Sequence, residues 1–477
     1  MKQPARTRFA PSPTGYMHVG GVRTALFAWL IARQTDGQFI LRLEDTDKVR
    51  EVAGSAEHIM ESLRWLGLTW DEGIEVGGPY APYKQSERLD TYKQWAKTLL
   101  TKGRAYADPY TPEEVEAFRE EAKAAKKPFL FRDHRPSNPP EWDGTQPLRF
   151  KSDPKAYDWQ DAVLGELHAG EEAIDDFILI KSDGYPTYNF CHVIDDLIMK
   201  CTHVIRSQEF IASVPRFLNL YEALEIEPPI LATVPFVMGP DGKKKLSKRD
   251  GAKDILDYAR EGYLPETLIN FMATLGWNDG TEQELFTVPE LIEKFTLERV
   301  QRGGAKFDEQ RLLWMNGAYI RELPLDELYD KVADFWPATA KGYDDTYKKG
   351  VLGLVQERLK YFAELPSLTQ FFFVELPSVQ PELWTNHKQL KKLDASELKQ
   401  LLEQSRETLA ASDFVLENIT TQLNNLLEHT HQKPAVLFSL IRIATTQAAA
   451  SPSLAETLTI LGKAVSLKRI DSMLAAL

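Results

Sequence analysis

Strand and helix signals alternate along the first part of the chain, and this alternation is the feature that most constrains its fold. A short strand ends at 8–10 and is followed by the turn-rich segment 11–15 (PSPTG). Apolar residues then recur at helical spacing over 18–33, a second strand candidate spans 38–43, and an amphipathic helix spans 56–66. Such alternation predicts a parallel sheet covered by helices, with ligands at the carboxyl ends of its strands.

The pattern changes twice further along the chain. From about Lys102 to Ala173 a charged helix and a proline-rich segment interrupt the alternation, which predicts an insertion between two halves of the sheet domain. Strand signals resume at 177–180 and 202–206. After Asp250 the pattern is helical to the end of the sequence, with breaks that predict two or three packed helical units.

Composition places the chain among ordinary globular proteins. Its 477 residues correspond to about three to five domains, and its content of 43% hydrophobic and 27% charged residues argues against a disordered chain. The sequence has no apolar run long enough for a membrane span and no secretory h-region, so we expect a cytoplasmic protein. Cys191 and Cys201 fit neither a disulfide framework nor a zinc spacing and are interpreted as buried apolar fillers.

The net charge of −13 argues only weakly against a nucleic-acid partner. A large acidic protein still presents local basic surfaces, and recognition depends on the local field. The motifs must therefore decide which partner the chain takes.

Three phosphate- and metal-binding templates fail. The pattern G-x-G-x-x-G is absent. Gly15 and Gly20 have the glycine spacing of a P-loop, but glycine and valine follow where Lys and Ser or Thr are required. The acidic run 45–47 opens like a calcium loop, yet Arg50 stands where that loop needs glycine.

Two weaker signals remain. His18 lies at a predicted helix N-terminus, a good position for binding phosphate, and Gly20 and Gly21 leave room for a nucleotide against the backbone. The second signal is the glycine-bounded basic segment 242–249 (GKKKLSKR), which suits a triphosphate. Taken alone, the first could be an accident of sequence, and the second a solvated basic face or a localisation signal.

Together the two segments resemble the paired signatures of class I aminoacyl-tRNA synthetases. HVGG at 18–21 stands for the HIGH motif, and KLSKR at 245–249 stands for the KMSKS motif. Further segments resemble the bacterial-type glutamyl enzymes of this family: 8–15 (RFAPSPTG), 43–47 (LEDTD), 85–88 (QSER), 182–188 (SDGYPTY), 204–206 (VIR) and 314–317 (WMNG).

The resemblance implies a glutamate–tRNA ligase reaction and assigns the glutamate site. Arg8 and Arg206 would bind carboxylates, and Glu44 would bind the α-ammonium. The other glutamate-site residues implied by the resemblance are Ala10, Ser12, Tyr188 and His192. His192 stands where relatives often have Asn, so that it remains a possible donor but adds a titratable group.

The resemblance also assigns the ATP site. His18, Lys245 and Lys248 would be catalytic, because they face the phosphates or support the loop over them. Mg²⁺ is expected to bridge phosphate oxygens, with no dedicated metal site in the protein. The complete implied ATP-binding set is His18, Gly20, Gly21, Glu209, Val237, Lys245, Leu246, Ser247, Lys248 and Arg249.

The sequence departs from the family pattern at several points. Gly21 replaces the second histidine of the first signature, and Arg249 replaces the last serine of the second. Some relatives carry a zinc in the insertion, but residues 105–168 contain no cysteine, so we expect no structural zinc.

The implied fold is α/β: a Rossmann-like parallel-sheet catalytic domain with an inserted acceptor-binding domain, followed by an all-helical anticodon-binding region. The partners implied are L-glutamate, ATP and tRNA(Glu), with no membrane and a monomeric state. The expected boundaries are 1–101 and 174–250 for the two catalytic halves, 102–173 for the insertion, 251–325 for a helical stem-contact domain and 326–477 for the anticodon domain.

Four alternatives remain to be weighed. A glutaminyl-tRNA synthetase shares the architecture but usually differs in the segment before the first signature. A shortened relative that glutamylates a modified tRNA base lacks an anticodon domain, which 477 residues oppose. An inactive tRNA-binding relative would have no physical reason to keep His18, Glu44, Arg206 and Lys248. A generic nucleotidylyltransferase would leave the helical C-terminal third without a role.

Overall fold

The structure is a computed structural model that describes residues 3–246 and 253–477. The chain forms two compact units. The N-terminal unit comprises Met1–Ala259 and Pro265–Glu309, and the C-terminal unit comprises Arg260–Leu264 and Gln310–Leu477.

The elements of the N-terminal unit are numbered along the chain. Its strands are β1 (Arg6–Phe9), β2 (Gln38–Leu41), β3 (Glu72–Gly73), β4 (Ala105–Ala107), β5 (Leu148–Phe150), β6 (Tyr157–Asp161), β7 (Gly165–Ala169), β8 (Ile178–Ile180), β9 (His203–Ser207), β10 (Ile230–Val234), β11 (Val237–Met238) and β12 (Ala305–Lys306). Its helices are α1 (Val19–Gln34), α2 (Ser55–Trp65), α3 (Leu89–Thr101), α4 (Pro112–Ala124), α5 (Tyr188–Ile198), α6 (Val214–Leu224), α7 (Ile255–Glu261, which continues into the other unit), α8 (Pro265–Thr274) and α9 (Val288–Lys294).

The first sheet confirms the predicted strand–helix alternation. Its order is β1-β2-β3, and both pairings are parallel. The register runs from Arg6 opposite Gln38 to Phe9 opposite Leu41. Helix α1 packs on this sheet and is buried along most of its length, since apolar residues lie on nearly every side of it.

The second sheet draws on two distant parts of the sequence. Its order is β7-β6-β10-β9, with β10 parallel to both β6 and β9 and a β6–β7 hairpin at one edge. The segment predicted as an insertion therefore supplies two strands of this sheet. Strand β9 also runs beside β1, where the Thr202 N–H donates to the Arg6 carbonyl at 2.9 Å.

A third sheet has the order β4-β5-β8, and both of its pairings are antiparallel. The strand predicted at 177–180 is present as β8, but it pairs with β5 in this small sheet. Helices α3, α5 and α6 share one buried core with this sheet; Phe150 and Leu179 of the sheet pack in the same core as Phe190 of α5 and Leu220 of α6.

The C-terminal unit is helical, as predicted. Its helices are α10 (Glu309–Glu322, beginning one residue before the unit), α11 (Leu325–Lys331), α12 (Asp345–Val355), α13 (Leu365–Thr369), α14 (Glu382–Thr385), α15 (Ala395–Ala411), α16 (Leu416–Thr430), α17 (Pro434–Thr446), α18 (Leu454–Leu461) and α19 (Lys463–Leu474). The buried Arg469 guanidinium binds the carbonyls of Thr445 and Phe371 at 2.6 and 2.8 Å, which ties α17 and α19 to the preceding loops. Within the described ranges, no helix combines the length and the apolarity that crossing a bilayer requires.

Asp161 joins the β6–β7 hairpin to β10, and it is expected to be the main polar anchor of that sheet. Its carboxylate accepts from the backbone N–H groups of Val163, Leu164 and Thr233 and from the Thr233 hydroxyl at 2.6–3.1 Å. The change Asp161→Ala should destabilise the unit by about 2–4 kcal/mol, because buried donors lose their acceptor. The measurement is the urea dependence of hydrogen exchange in β10 peptides. Asp158→Ala, at an exposed site on the same strand, should change stability by less than about 0.5 kcal/mol; equal effects of the two changes would contradict the prediction.

Candidate active site

A cavity of the N-terminal unit lies at the carboxyl ends of β1, β2, β9 and β10 and has a volume of about 960 Å³. This is the edge at which a parallel sheet was predicted to bind its ligand. The predicted site residues that line the cavity are Arg8, Ala10, Ser12, His18, Gly20, Gly21, Glu44, Tyr188, Arg206, Glu209, Val237, Lys245 and Leu246. His192 lies directly behind Arg206, and Ser247, Lys248 and Arg249 fall outside the described residues.

Arg42 is the centre of a buried charge cluster beneath this cavity. The residue has no exposed surface. Its Nη2 donates to Glu44 Oε1 at 2.9 Å, its Nη1 donates to Asp196 Oδ1 at 2.8 Å, and its Nε lies 3.6 Å from Asp195 Oδ2. These three carboxylates raise the pKa of Arg42 although burial opposes the charge, so the guanidinium stays protonated.

Arg8 shares Asp196 with Arg42. Its Nε and Nη2 donate to the two carboxylate oxygens at 3.0 and 3.3 Å, and its Nη1 donates to the Ile205 carbonyl. Burial raises the pKa of Asp196, but Arg8 and Arg42 more than offset this and the net pKa is lowered. Arg8 therefore uses one edge of its guanidinium for Asp196, which leaves one N–H on each Nη for a ligand.

Glu44 faces the cavity from the end of β2. Burial raises the pKa of this carboxyl, and the nearby Arg42 and Arg8 only partly offset that effect. A ligand cation at this position would favour the ionised form and would itself be held by it. Glu44 is thus suited to bind an ammonium group.

Asp195 anchors the cluster on the side away from the cavity, which it does not line. It accepts from Arg88 Nε, Gln85 Nε2 and the Tyr92 hydroxyl at 2.8–2.9 Å. Burial and the neighbouring Asp195 raise the pKa of Tyr92, so its hydroxyl remains a donor. These contacts fix the end of α5, which also carries Asp196.

Arg206 differs from the other cations of the site. The residue is 7% exposed, and within the described part of the chain its Nε is buried without a hydrogen-bond partner. The guanidinium lies over the rings of Phe210 and Phe217 at 5.6 and 5.2 Å. No carboxylate of the described residues lies within ion-pair distance, so the charge is placed to meet an anionic ligand.

His192 contacts Arg206 from behind. Its Nδ1 donates to the Tyr188 carbonyl at 2.7 Å, since a carbonyl only accepts, and its Nε2 lies 3.5 Å from Arg206 Nη1. Burial and Arg206 hold the pKa of His192 well below its usual range. The neutral ring therefore presents an acceptor to Arg206. The ring of Tyr188, whose pKa burial raises to about 12, stacks on it.

His18 is the N-cap of α1. Its Nδ1 accepts from the N–H groups of Gly20 and Gly21 at 3.2 and 3.4 Å, which places the ring proton on Nε2. A Cβ at Gly20 would lie 3.3 Å from the imidazole, so glycine here keeps the ring uncrowded. His18 can therefore donate from Nε2, and the phosphate-binding role implied for it stays a prediction.

Lys245 and Glu209 pair across the cavity mouth. Lys245 Nζ donates to Glu209 at 2.7 Å, and both side chains are about half exposed. The chain reaches Lys245 through a turn that returns to β11, where the Leu246 N–H donates to the Val237 carbonyl at 2.8 Å. An exposed pair of this kind is worth little and exchanges readily for a ligand.

Sequence reasoning missed three central residues of the cluster. Arg42, Asp195 and Asp196 are not near either signature and do not line the cavity. A signal was present in α5, where two adjacent aspartates occur in an otherwise apolar helix (FCHVIDDLI) and near its negative end, a position that disfavours anions.

The two cysteines are free and buried, as predicted. Burial raises the pKa of Cys201 to about 12 and that of Cys191 well above its usual range. Among residues 3–246 and 253–477, no group of three or more His, Cys, Asp and Glu side chains is arranged to hold a metal ion. The expectation of no structural zinc stays a prediction.

Comparison with known families defines the class. The model for the catalytic domain of class I tRNA synthetases (E and Q) matches residues 4–314, and the model for an anticodon binding domain matches residues 327–474. The two matches describe a synthetase catalytic domain followed by a domain for the anticodon of a tRNA.

Individual relatives narrow this class. A glutamate–tRNA ligase of Dehalococcoides mccartyi is 40% identical over 100% of the chain and 99% of its own length, and that of Roseiflexus castenholzii is 39% identical over 99% and 97%. A solved glutamate tRNA ligase of Elizabethkingia meningosepticum, in complex with its amino acid, has a TM-score of 0.89 at 32% identity over the full length of both chains. The chain belongs to the glutamate–tRNA ligase family of class I synthetases.

Arg42 is expected to be indispensable for the stability of the N-terminal unit. The change Arg42→Met should cost about 3–5 kcal/mol, because three buried carboxylates lose their shared cation. Urea unfolding followed by hydrogen exchange in β1 and β2 measures the change. Arg119→Met, which removes an exposed pair with Glu116 on α4, should cost less than about 1 kcal/mol. If Arg42→Met lowers the free energy of unfolding by no more than Arg119→Met does, Arg42 is not the stabilising centre of the cluster.

Proposed function

We propose that the chain activates L-glutamate with ATP to glutamyl-adenylate and transfers the glutamyl group to the 3′-terminal adenosine of tRNA(Glu). The observation that carries this proposal is the charge of the cluster. Three buried guanidinium groups pair with three buried carboxylates, Arg206 adds a fourth cation, and His192 is neutral, so this group of ionised side chains has one excess positive charge. Glutamate carries a net charge of −1 and would balance it. The cations are Arg8, Arg42, Arg88 and Arg206, and the anions are Glu44, Asp195 and Asp196.

The amino-acid half of the proposed site uses the cations and anion that reach the cavity. Arg206 would bind one substrate carboxylate, and the two remaining N–H groups of Arg8 would bind the other. Glu44 would hold the ammonium, with the hydroxyls of Tyr188 and Ser12 and the backbone at Ala10 completing the pocket. His192 would act through Arg206.

The nucleotide half would lie along the β1–α1 turn. His18 would donate from Nε2 to a phosphate at the positive end of α1, and Gly20 and Gly21 would allow close approach of the nucleotide. Glu209 would release Lys245 and bind the ribose, next to the backbone of Val237 and Leu246. From the resemblance, Ser247, Lys248 and Arg249 would complete this half.

Mg²⁺ is proposed to enter with ATP. In the described part of the chain, no group of three or more His, Cys, Asp and Glu side chains is arranged to hold a metal ion, so phosphate oxygens and water are the proposed donors. The ion would supply charge neutralisation on the phosphates. The protein's own part is to position the nucleotide.

The proposed reaction needs no nucleophilic side chain. An oxygen of the substrate α-carboxylate attacks the α-phosphorus, and the bond to the pyrophosphate oxygen breaks. A terminal ribose hydroxyl of the tRNA then attacks the adenylate carbonyl and forms the ester bond. The hydroxyl proton passes to water, and AMP leaves with the electrons of the broken carbonyl–phosphate oxygen bond. Catalysis consists of positioning and of stabilising charge on the phosphates.

The tRNA would contact both units. The five-part division expected from the sequence is retained as a proposal, with residues 102–173 for the acceptor stem, 251–325 for stem contacts and 326–477 for the anticodon. We further propose a monomer that acts in the cytoplasm, where charged tRNA is consumed.

Charging with labelled glutamate tests the function directly. Purified tRNA(Glu) and tRNA(Gln) are offered in parallel with ATP and Mg²⁺, and we expect charging of tRNA(Glu). Charging of tRNA(Gln) as well would identify a non-discriminating ligase, and charging of neither by folded protein would refute the proposal.

Arg206→Ala should lower kcat/KM for glutamate at least about 100-fold, because a bidentate ion pair is lost. Arg33→Ala, which removes a cation paired with Asp71, should leave it unchanged.

The raised pKa of Glu44 predicts how glutamate binding depends on pH. The carboxyl must be ionised to attract the ammonium, so the KM for glutamate should rise as the pH falls, starting above the usual carboxyl pKa of about 4.3. His192 stays neutral and should not contribute. KM profiles should therefore keep this inflection in His192→Asn and lose it in Glu44→Gln. The reverse pattern would assign the titration to His192.

A further inference from the structure

His58 lies on α2, next to the nucleotide half of the cavity but outside its lining. Its ring stacks on Tyr16 with centroids 4.5 Å apart and an interplanar angle of 23°. The ring is mostly buried, with 13% of the side chain exposed. Neither signature segment contains it.

Both ring nitrogens of His58 have specific partners. The Met17 N–H donates to Nδ1 at 3.3 Å, and Nε2 lies 2.8 Å from Asp254 Oδ1. A backbone N–H only donates, so Nδ1 is the acceptor and the ring proton is on Nε2. The neutral imidazole thus bridges the backbone just before His18 and a carboxylate from a distant part of the chain.

Asp254 is itself fixed in position. Its Oδ1 also accepts from the Leu256 N–H at 2.9 Å, which caps the start of α7. Asp254 forms an antiparallel bridge with His18, and the Ile255 N–H donates to the Met17 carbonyl at 3.3 Å. The Tyr16–His18 turn and the start of α7 are therefore joined by backbone contacts and by His58.

We propose that His58 is a positioning residue for the nucleotide half of the active site. The imidazole fixes Met17 and Asp254 on either side of His18 and so sets the direction in which the His18 Nε2–H points. This inference rests on the proposed ATP-dependent function. It predicts a selective effect on ATP, because glutamate is held by the separate charge cluster.

The test is aminoacylation kinetics with ATP, glutamate and tRNA(Glu) varied in turn. His58→Ala should raise the KM for ATP about tenfold, since it removes a hydrogen bond to a charged group, and should leave the KM values for glutamate and tRNA within about twofold. His203→Ala is the matched control, because that ring pairs with the Thr202 hydroxyl and lies outside the cavity lining; its parameters should equal those of the wild type.

Two conservative variants separate the two bonds of the ring. Asn at position 58 offers an acceptor close to the position of Nδ1, whereas Gln offers a donor close to that of Nε2. We expect His58→Gln to recover part of the lost ATP affinity through Asp254, and His58→Asn to recover part of it through Met17. If His58→Ala does not fold, His58→Asn and His58→Gln serve in its place. A wild-type KM for ATP in His58→Ala, or in both His58→Asn and His58→Gln, overturns the inference.

A double-mutant cycle with Asp254→Ala tests the pairing. The second change also removes the cap of α7, but this contribution cancels in the cycle. The effect of the double variant on the KM for ATP should be smaller than the product of the two single effects. Independent effects, or an equal rise of all three KM values, would assign His58 a general structural role. Failure of the wild type to charge glutamate would instead refute the proposed function.

Discussion

The ion pairs of Arg42 with Glu44 and Asp196 are the interactions on which the candidate site depends. A guanidinium without exposed surface costs several kcal/mol to bury, so it persists only because carboxylates surround it. Asp196, which accepts from Arg42, also holds Arg8 in position through a second ion pair. Glu44, which accepts from Arg42 as well, is held in position at the cavity. A cation that does not line the cavity therefore orients the groups proposed to bind opposite charges of the amino acid.

The fold makes this arrangement possible by bringing three chain segments to one edge. The parallel register of β1 and β2 places Arg8 and Arg42 near neighbouring strand ends, and α5 brings Asp195 and Asp196 against them. These aspartates lie in the last turn of α5, where the helix dipole disfavours anions. Arg8 and Arg42 offset this cost, and as a result the pKa of Asp196 is lowered although burial alone would raise it. The cluster therefore also stabilises the docking of α5.

Sequence patterns predicted the elements whose signal is local. Helix α1 and the β1–β2 pair follow from apolar periodicity and turn residues, and the carboxyl edge follows from parallel topology. The pairing of β6 with β10 was not predictable, because it joins residues about 70 positions apart and the sequence of a strand does not indicate which other strand it pairs with. The pairing of the short strands β4, β5 and β8 was likewise not predictable, although β8 itself was predicted at 177–180. In the site, residues of the signature segments were predicted, whereas Arg42, Asp195 and Asp196 required the three-dimensional contacts.

Arg8 and Arg206 show why residue type alone does not determine a role. Both are buried arginines beside the same cavity, but Asp196 already occupies one edge of Arg8. Arg206 instead contacts the His192 ring and lies over the rings of Phe210 and Phe217. A neutral amide ligand would leave the charge of Arg206 uncompensated in a buried setting, whereas a carboxylate would satisfy it. Under the role proposed for Arg206, discrimination between glutamate and glutamine would rest on the cation without a counter-ion. The neutral state of His192 preserves this contrast, because an acceptor behind Arg206 holds the guanidinium without cancelling its charge.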